Sequence, residues 1–412
     1  MESLFIAPGI LLWALLSYLS GDAPLDPRIA AYQSAVREIP PAHENGFVYF
    51  LGMSAPAGDN VVGVGLQRLQ NLADGYAIRS FKPGLDRSVL NAELTPLKCG
   101  YGRPHCEKLL ALNCAKQKTL LSRHGWLLQR YRQLLTFERY VMESGIDLEE
   151  FDTLEVVEYG QILSFIDYVN SSQCEDVRES KFLLVEDTAR LRNLLSQSDS
   201  VYLKSGSIGL LTKQYKFISE FVQSYKAPAL NSDLFRPFSR DEMSLRDALY
   251  RGAIMETGRV DTRIQKAMNQ FSIPNELIPV VLKRNVVVNH QIKGFLDQAD
   301  ASVRPILDFK EPAKTEYVDF SPWNWNNYLG QSLMLGGPRF HLELDLKSIE
   351  SYIVLARLAY DKQFAEPIDR DRYLNPFNNI PVEIDPEKAK ACFHTQVGDY
   401  TNTNCISWLD RK

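Results

Sequence analysis

Apolar residues recur at intervals of three and four along most of the chain, and the clearest such stripe is Leu120, Leu121, His124, Leu127, Leu128, Tyr131, Leu134 and Leu135. That spacing places them on one face of a helix, which the pattern carries to about Glu143, before Gly145. A second region carries two stripes in succession, Leu184, Thr188, Leu191, Leu195 and Tyr202, then Ile208, Leu211, Tyr215, Ile218, Val222 and Tyr225. With Ser205-Gly206-Ser207 as the joint, the two read as an antiparallel helical hairpin. Leu342, Leu346, Ile349, Ile353, Ala356 and Tyr360 mark another long amphipathic helix, with Pro338 at a possible first helical position. Shorter helices are expected from Asp26 to Val36, from Val61 to Tyr76, from a Ser239/Glu242 capping box to about Glu256, from Thr262 to Phe271, and from an Asn285 cap through Val288, Ile292, Phe295 and Leu296.

Three stretches break the helical period. Phe47 to Met53, FVYFLGM, follows an Asn45-Gly46 turn signal and is rich in β formers and aromatics, so it reads as a short strand. Leu94 to Arg103, LTPLKCGYGR, is punctuated by Pro and Gly and reads as a loop. After Asn375-Pro376-Phe377 and a turn at Asn378-Asn379 the chain becomes strand-compatible up to Cys405, which predicts a small β-hairpin. The expected fold is therefore mainly α, built of antiparallel helical pairs in an irregular α-solenoid, with a small β-hairpin C-terminal tail. Residues 1–22 read as an N-terminal membrane anchor or signal segment, 23–374 as the helical domain and 375–412 as a disulfide-closed tail.

Leu4 to Leu19 is sixteen residues without a charge. As a helix it reaches about 24 Å, and about 27 Å with Ser20 and Gly21, against a hydrocarbon core of about 30 Å. Only Met1, Glu2 and Ser3 precede it and Arg28 is the first basic residue, so the charge signal for orientation is weak. Gly21-Asp22-Ala23 supplies small residues for cleavage, but Pro24 follows, which favours an uncleaved anchor. The alternative is a buried apolar helix at the start of a cytosolic domain.

Composition narrows the function classes. At 412 residues, 45% hydrophobic and 24% charged, the chain is an ordinary globular one with room for a substantial core. A net charge of -5, an isoelectric point near 5.8 and no dense Lys/Arg stripe argue against a nucleic-acid partner. The six cysteines fall as a group of three (Cys99, Cys106, Cys114), a single Cys174 and a pair (Cys392, Cys405). Zinc ligands need two to four intervening residues, whereas the intervals here are six, seven and twelve. Disulfides suit an oxidising compartment; six buried free thiols are the alternative. Cys99 with Cys106 and Cys392 with Cys405 are the expected bridges, leaving Cys114 and Cys174 to pair.

Candidate chemistry is sparse, and no catalytic, cofactor-binding or metal residue is assigned. His124 on its apolar face reads as a core histidine. Asp147 to Glu158 is acidic but lacks the spacing of an EF-hand loop, so it reads as a solvated face and helix start. Gly63-Val64-Gly65 lacks the third glycine of a dinucleotide loop, and Gly206-Ser207 lacks the G-x-S-x-G of a nucleophile elbow. Trp323, Trp325 and Tyr328 within PWNWNNYLG can form a carbohydrate or peptide platform, or pack their loop against the helices.

In order along the chain, FVYFLGMSAPAGDN, the Cys99 to Cys106 loop, LLSRHGWLLQRYRQLL, VEDTARLRNLLSQSDSVYLK, KRNVVVNH and YLNPFNNIPVEIDPE together resemble a group of uncharacterised proteobacterial membrane-anchored envelope proteins. The resemblance covers most of the chain and implies a mostly helical periplasmic protein, held in the inner membrane of a Gram-negative bacterium through Leu4 to Leu19. It brings no catalytic residue with it. The expected function is an interaction or assembly module whose partner is another envelope protein. The alternative is an envelope hydrolase acting on glycan or peptide, for which His43, His105, His124, His290, His341 and His394 would have to converge with carboxylates.

Overall fold

The computed structural model describes residues 24–29, 38–73, 85, 87–99, 106–142, 153–174, 177–225, 232–239, 249–254, 257, 284–301, 342–362, 369–385, 390–397 and 400–407. Within them the protein is mainly helical, with a small three-stranded antiparallel sheet towards the C-terminus. Leu4 to Leu19 and the helix expected at Thr262 to Phe271 lie outside these residues. Among the described residues, no helix is long and apolar enough to cross a membrane.

FVYFLGM is helical and not the expected strand: α1 spans Gly46–Gly52. Every residue of α1 is buried, so its β-like composition reflects burial on all sides and not a strand. Asn45 decides the geometry. Its Oδ1 accepts from Phe47 N and from Val141 N, both at 3.0 Å, while its Nδ2 donates to Val141 O at 2.8 Å. One side chain thus caps α1 and captures an extended segment from the far side of the core. α2 (Val61–Ala73) packs on α1 at near-backbone distance, because a Cβ on Gly65 would lie 2.0 Å from Val48 O. Gly65 is accordingly a helix-packing residue, which explains the Gly63-Val64-Gly65 motif without a nucleotide.

α3 (Arg87–Leu94) continues as a 3-10 turn over Thr95–Leu97, and α4 (Glu107–Leu110) follows the Cys99–Cys106 pair. α5 (Cys114–Leu134) starts where Asn113 accepts from Lys116 N at 2.9 Å. It stops well before Glu143. Residues 139–142 are extended instead: Arg139 bridges Asn45 and Tyr140 bridges Ser198, while the Tyr140 hydroxyl donates to Leu134 O at 2.6 Å. The backbone groups that would have continued the helix are already taken by Asn45 and its neighbours.

α6 (Thr153–Cys174), α7 (Val177–Gln197) and α8 (Val201–Tyr225) complete the bundle. The joint between α7 and α8 is Ser198 to Ser200, not Ser205-Gly206-Ser207, which lies inside α8. A seryl break signal was present at both places; Ser200 wins because its Oγ accepts from Leu203 N, whereas Gly206 lets Leu154 of α6 approach to 2.9 Å of where its Cβ would stand. Partners along α7 and α8 run in opposite senses, from Leu195 with Lys204 to Thr188 with Gln214, so the hairpin is antiparallel as expected. α5 and α6 are likewise antiparallel, with Gln117 on Gln173 at one end and Tyr131 against Gly160 towards the other. α6 and α8 run parallel, with Phe165 and Phe217 stacked at 4.1 Å.

α9 (Arg284–Ala301) buries Val288, Ile292 and Leu296, and its Asn289 holds the chain at Pro24 and Asp26 through two hydrogen bonds. α10 (Leu342–Lys362) packs along α8. The tail has one strand more than a hairpin: β1 (Glu383–Asp385), β2 (Lys390–Val397) and β3 (Tyr400–Ser407) pair in the order β1-β2-β3. Its inner residues Ala391, Phe393 and Ile406 join the same hydrophobic core as the helices, and Ser348 of α10 donates to Asn404 Oδ1 at 3.0 Å. The sheet is thereby seated on α10.

Candidate functional site

A cleft of about 330 Å³ opens where α10, the segment 232–239 and the start of the tail meet. Glu350, Ile353, Val354, Arg357 and Asp361 line it from α10, at the three-to-four spacing that puts them on one stripe. Phe235 and Pro237 form one wall, and Arg372, Tyr373 and Pro376 form the other.

Each wall is held from behind. Arg192 of α7, buried, donates to Arg236 O at 2.6 Å and Pro237 O at 2.8 Å and lies over the Phe238 ring at 4.5 Å. The Tyr215 hydroxyl donates to Leu234 O, and Phe235 meets Tyr360 of α10 at 5.4 Å. On the tail side, buried Asn375 accepts from Phe377 N and donates to His394 O and Thr395 Oγ1. Asn375 N donates to Ile380 O, and Asn379 takes φ 57, a left-handed conformation that Asn tolerates better than most residues. The turn thus formed leaves Leu374 and Ile380 exposed beside the lining residues Tyr373 and Pro376.

The charges are unevenly committed. The Tyr373 hydroxyl donates to Asp361 Oδ2 at 2.7 Å; burial, together with that bond and charge, pushes its pKa up to about 12. Arg357 Nε stands 3.6 Å from the same oxygen, an ion-pair contact too long for a hydrogen bond, and its side chain is 56% exposed. Glu350 is paired with Lys347 at 2.7 Å. Arg372 is exposed and has no carboxylate partner among the described residues. The cleft offers an apolar floor and guanidinium donors to a ligand, and its Tyr373 hydroxyl, bonded to Asp361, stays protonated across the neutral range.

The residues singled out in the sequence are scattered. Cys99 pairs with Cys106, Cys114 with Cys174 and Cys392 with Cys405, at Cα separations of 4.9, 6.0 and 4.2 Å. Trp323, Trp325 and Tyr328 lie outside the described residues, as do His105 and His341 and the side chain of His290. His43 is exposed beside Glu44, and His394 is exposed between Glu383 and Thr403. His124 is a core histidine: its Nε2 lies 2.7 Å from Glu93 Oε2, and that bond is the main reason the Glu93 carboxyl sits below its ordinary range. Glu155 and Glu158 of the acidic segment are tied to Arg87, Lys98 and Lys213. Among the described residues no group of three or more His, Cys, Asp or Glu side chains is arranged to hold a metal ion.

Two features of the structure have no signature in the sequence. The cleft draws on three stretches remote in the chain, so no local pattern announces it. Glu220 of α8 lies buried with Oε2 accepting Cys106 N at 2.7 Å, and burial raises its pKa to about 7. Residues two apart lie on opposite sides of a helix, so Glu220 falls off the Ile218 and Val222 stripe and the local pattern does not mark it as buried. Comparison with protein-family models, with curated proteins and with solved structures found no match to this chain.

Proposed function

We propose that the protein is a membrane-tethered helical module of a bacterial cell envelope that binds another envelope protein through the cleft between α10 and the tail. The observation that carries this reading is the cleft itself, braced on both walls and flanked by exposed Leu374 and Ile380, since apolar groups left in water beside a preformed groove favour a protein partner. The tether rests on the apolar run Leu4 to Leu19, and the oxidising compartment on three cysteine pairs with no free cysteine among the described residues.

Photo-crosslinking in intact cells tests it, with the reactive group placed at Val354 in the cleft, at Ile380 on the turn, and at exposed Gln129 on α5 as a control. The reading expects one and the same envelope protein to be captured from Val354 and Ile380 and not from Gln129. Equal capture from all three, or none from Val354, overturns the docking role. Protease added to spheroplasts should digest the chain; survival until the membrane is lysed overturns the topology.

A further inference from the structure

We propose that the cleft takes an extended peptide segment carrying a side-chain carboxylate next to apolar residues, the carboxylate being held between Arg357 and Arg372. This rests on the cleft being a docking site and adds the chemistry of what docks.

The length of the groove comes first. From Glu350 to Asp361 the lining stripe on α10 covers eleven steps, about 16 Å at about 1.5 Å per helical residue. An extended chain rises about 3.3 Å per residue, so the stripe matches about five residues. Its middle is apolar, with Ile353 and Val354 on the floor and Phe235, Pro237 and Pro376 at the sides. Alternate side chains of an extended segment would enter there, and the walls already stand in place for them, which lowers the ordering cost of binding.

Charge then selects the ligand. Of the two carboxylates in the lining, Asp361 is engaged by the Tyr373 hydroxyl and Glu350 is paired with Lys347 and nearly buried. Asp369, close by in sequence, caps the Arg370–Arg372 turn through its contact with Asp371 N. The two arginines are less committed. Among the described residues the one carboxylate contact of Arg357 is the 3.6 Å one with Asp361, and Arg372 has none. A guanidinium offers five N–H donors in a planar fork suited to carboxylate oxygens, so donors remain on both for a ligand. Arg357 lies one helical turn before the end of the stripe at Asp361, so a bound chain continues past it. That geometry favours a side-chain carboxylate within the segment over a terminal one.

The test uses the full chain in detergent and fluorescein-labelled peptide pools, acetylated and C-terminally amidated, with one fixed Glu among Leu, Ile, Val and Phe. Matched pools carry Gln or Lys at the fixed position, and one further Gln pool has a free C-terminal carboxylate. The Glu pool should bind about tenfold more tightly than the Gln pool, and the Lys pool more weakly still. Arg357→Gln combined with Arg372→Gln should bring Glu and Gln pools to within about twofold of each other, while Val354→Arg should abolish binding of every pool. Because both arginines are exposed, the double variant should keep the parent circular dichroism. Should it not, salt titration of the parent decides, since rising salt must weaken the Glu pool and spare the Gln pool. Equal binding of Glu and Gln pools overturns the carboxylate assignment and leaves the docking reading standing, and so does a preference for the free-acid Gln pool alone. Failure of every pool to bind the parent overturns the docking reading as well.

Discussion

The bundle α5–α8 and the C-terminal sheet are both closed by a cysteine pair, and the two pairs meet very different situations. Cys114 and Cys174 are separated by 60 residues and join the start of α5 to the end of α6, a closure that no local hydrogen bond anticipates. Cys392 and Cys405 are separated by 13 residues and face each other in a β2–β3 register already set by the ladder around them. The interiors differ in the same sense. In the bundle, buried polar groups on different helices satisfy one another: Gln161 donates to Leu210 O, Gln214 to Thr188, and Ser164 and Tyr168 to Asp187. In the sheet, Ala391, Phe393 and Ile406 make an apolar inner face, and the polar contacts to α10 are made by Asn402 and Asn404 with a single serine, Ser348. Pairing within the sheet is therefore set by contacts near in sequence, whereas the placement of the bundle helices and the seating of the sheet on α10 both rest on remote ones.

Removing the two bridges measures that difference most directly. A bridge stabilises chiefly by restricting the unfolded chain, more so for longer loops, which gives about 4 kcal/mol for the bundle pair and about 3 kcal/mol for the tail pair. The paired substitution Cys114→Ser with Cys174→Ser should therefore lower unfolding stability more than Cys392→Ser with Cys405→Ser, measured by denaturant titration of the oxidised chain. Loss of the tail cooperativity alone from the first variant would contradict the assignment, because α6 contacts α5, α7 and α8 together.

A second effect is confined to the bundle and is switched by pH. Glu220 has its folded pKa raised, by burial, from 4.5 to about 7. Below about 4.5 both states hold the proton and the folded state bears no penalty. Between 4.5 and about 7 the unfolded chain ionises first, so stability falls as pH rises, and above about 7 the loss is complete. Its size is at most about 3 kcal/mol. Glu220→Gln cannot ionise and can still accept from Cys106 N, so it should match the parent near pH 4.5 and exceed it by up to that amount near pH 8. Equal stabilities at pH 8, from denaturation at both pH values, would exclude the effect. At the start of the tail, by contrast, burial raises the Tyr373 hydroxyl to about 12, above this pH window.

These contrasts also explain which parts of the molecule were legible in the sequence. Helical stripes revealed α5, α7, α8, α9 and α10 because burial on one face leaves a three-to-four period, and cysteine spacing on a Gly/Pro loop and a hairpin pointed to two of the pairs. α1 reads as a strand because a helix buried all round has no stripe, and its aromatics mimic those of a strand. The sequence pattern sets the α7–α8 joint five or more residues too late because Gly206 has the look of a break, whereas its lack of a side chain serves the approach of Leu154. The cleft was not visible at all. Phe235, Arg357 and Arg372 come together only through the seating of the tail on α10, a contact that no local period records.

Within the tail, Asn375 should have the next largest effect. It is buried, and its side chain ties the turn to β2 through His394 O and Thr395 Oγ1 while accepting Phe377 N. Asn375→Ala leaves those groups unpaired and should cost about 1–3 kcal/mol in thermal or denaturant unfolding, with the further consequence that Tyr373 and Pro376 lose their fixed place in the cleft. No change in stability would show that the turn is held by its backbone alone.

Asn379 isolates that backbone contribution. Its φ of 57 lies in the left-handed region, and its neighbour Asn378 accepts Ile380 N through Oδ1, so the turn keeps its own hydrogen bond whatever stands at 379. Every L-residue there meets the crowding of Cβ against the following carbonyl, about 1 kcal/mol, which the short polar side chain of Asn offsets and that of alanine does not, while glycine escapes it. Asn379→Ala should therefore destabilise by about 1 kcal/mol, and Asn379→Gly should lie within a few tenths of the parent because strain relief offsets the greater freedom of the unfolded chain. If alanine and glycine behave alike, the turn does not need the left-handed residue, and the claim that the tail is locally encoded fails at the point where it is most local. If they differ as expected, the presentation of Leu374 and Ile380 beside the cleft is written into a few consecutive residues, in contrast to α5 and α6, whose mutual placement needs partners as far apart as Cys114 and Cys174.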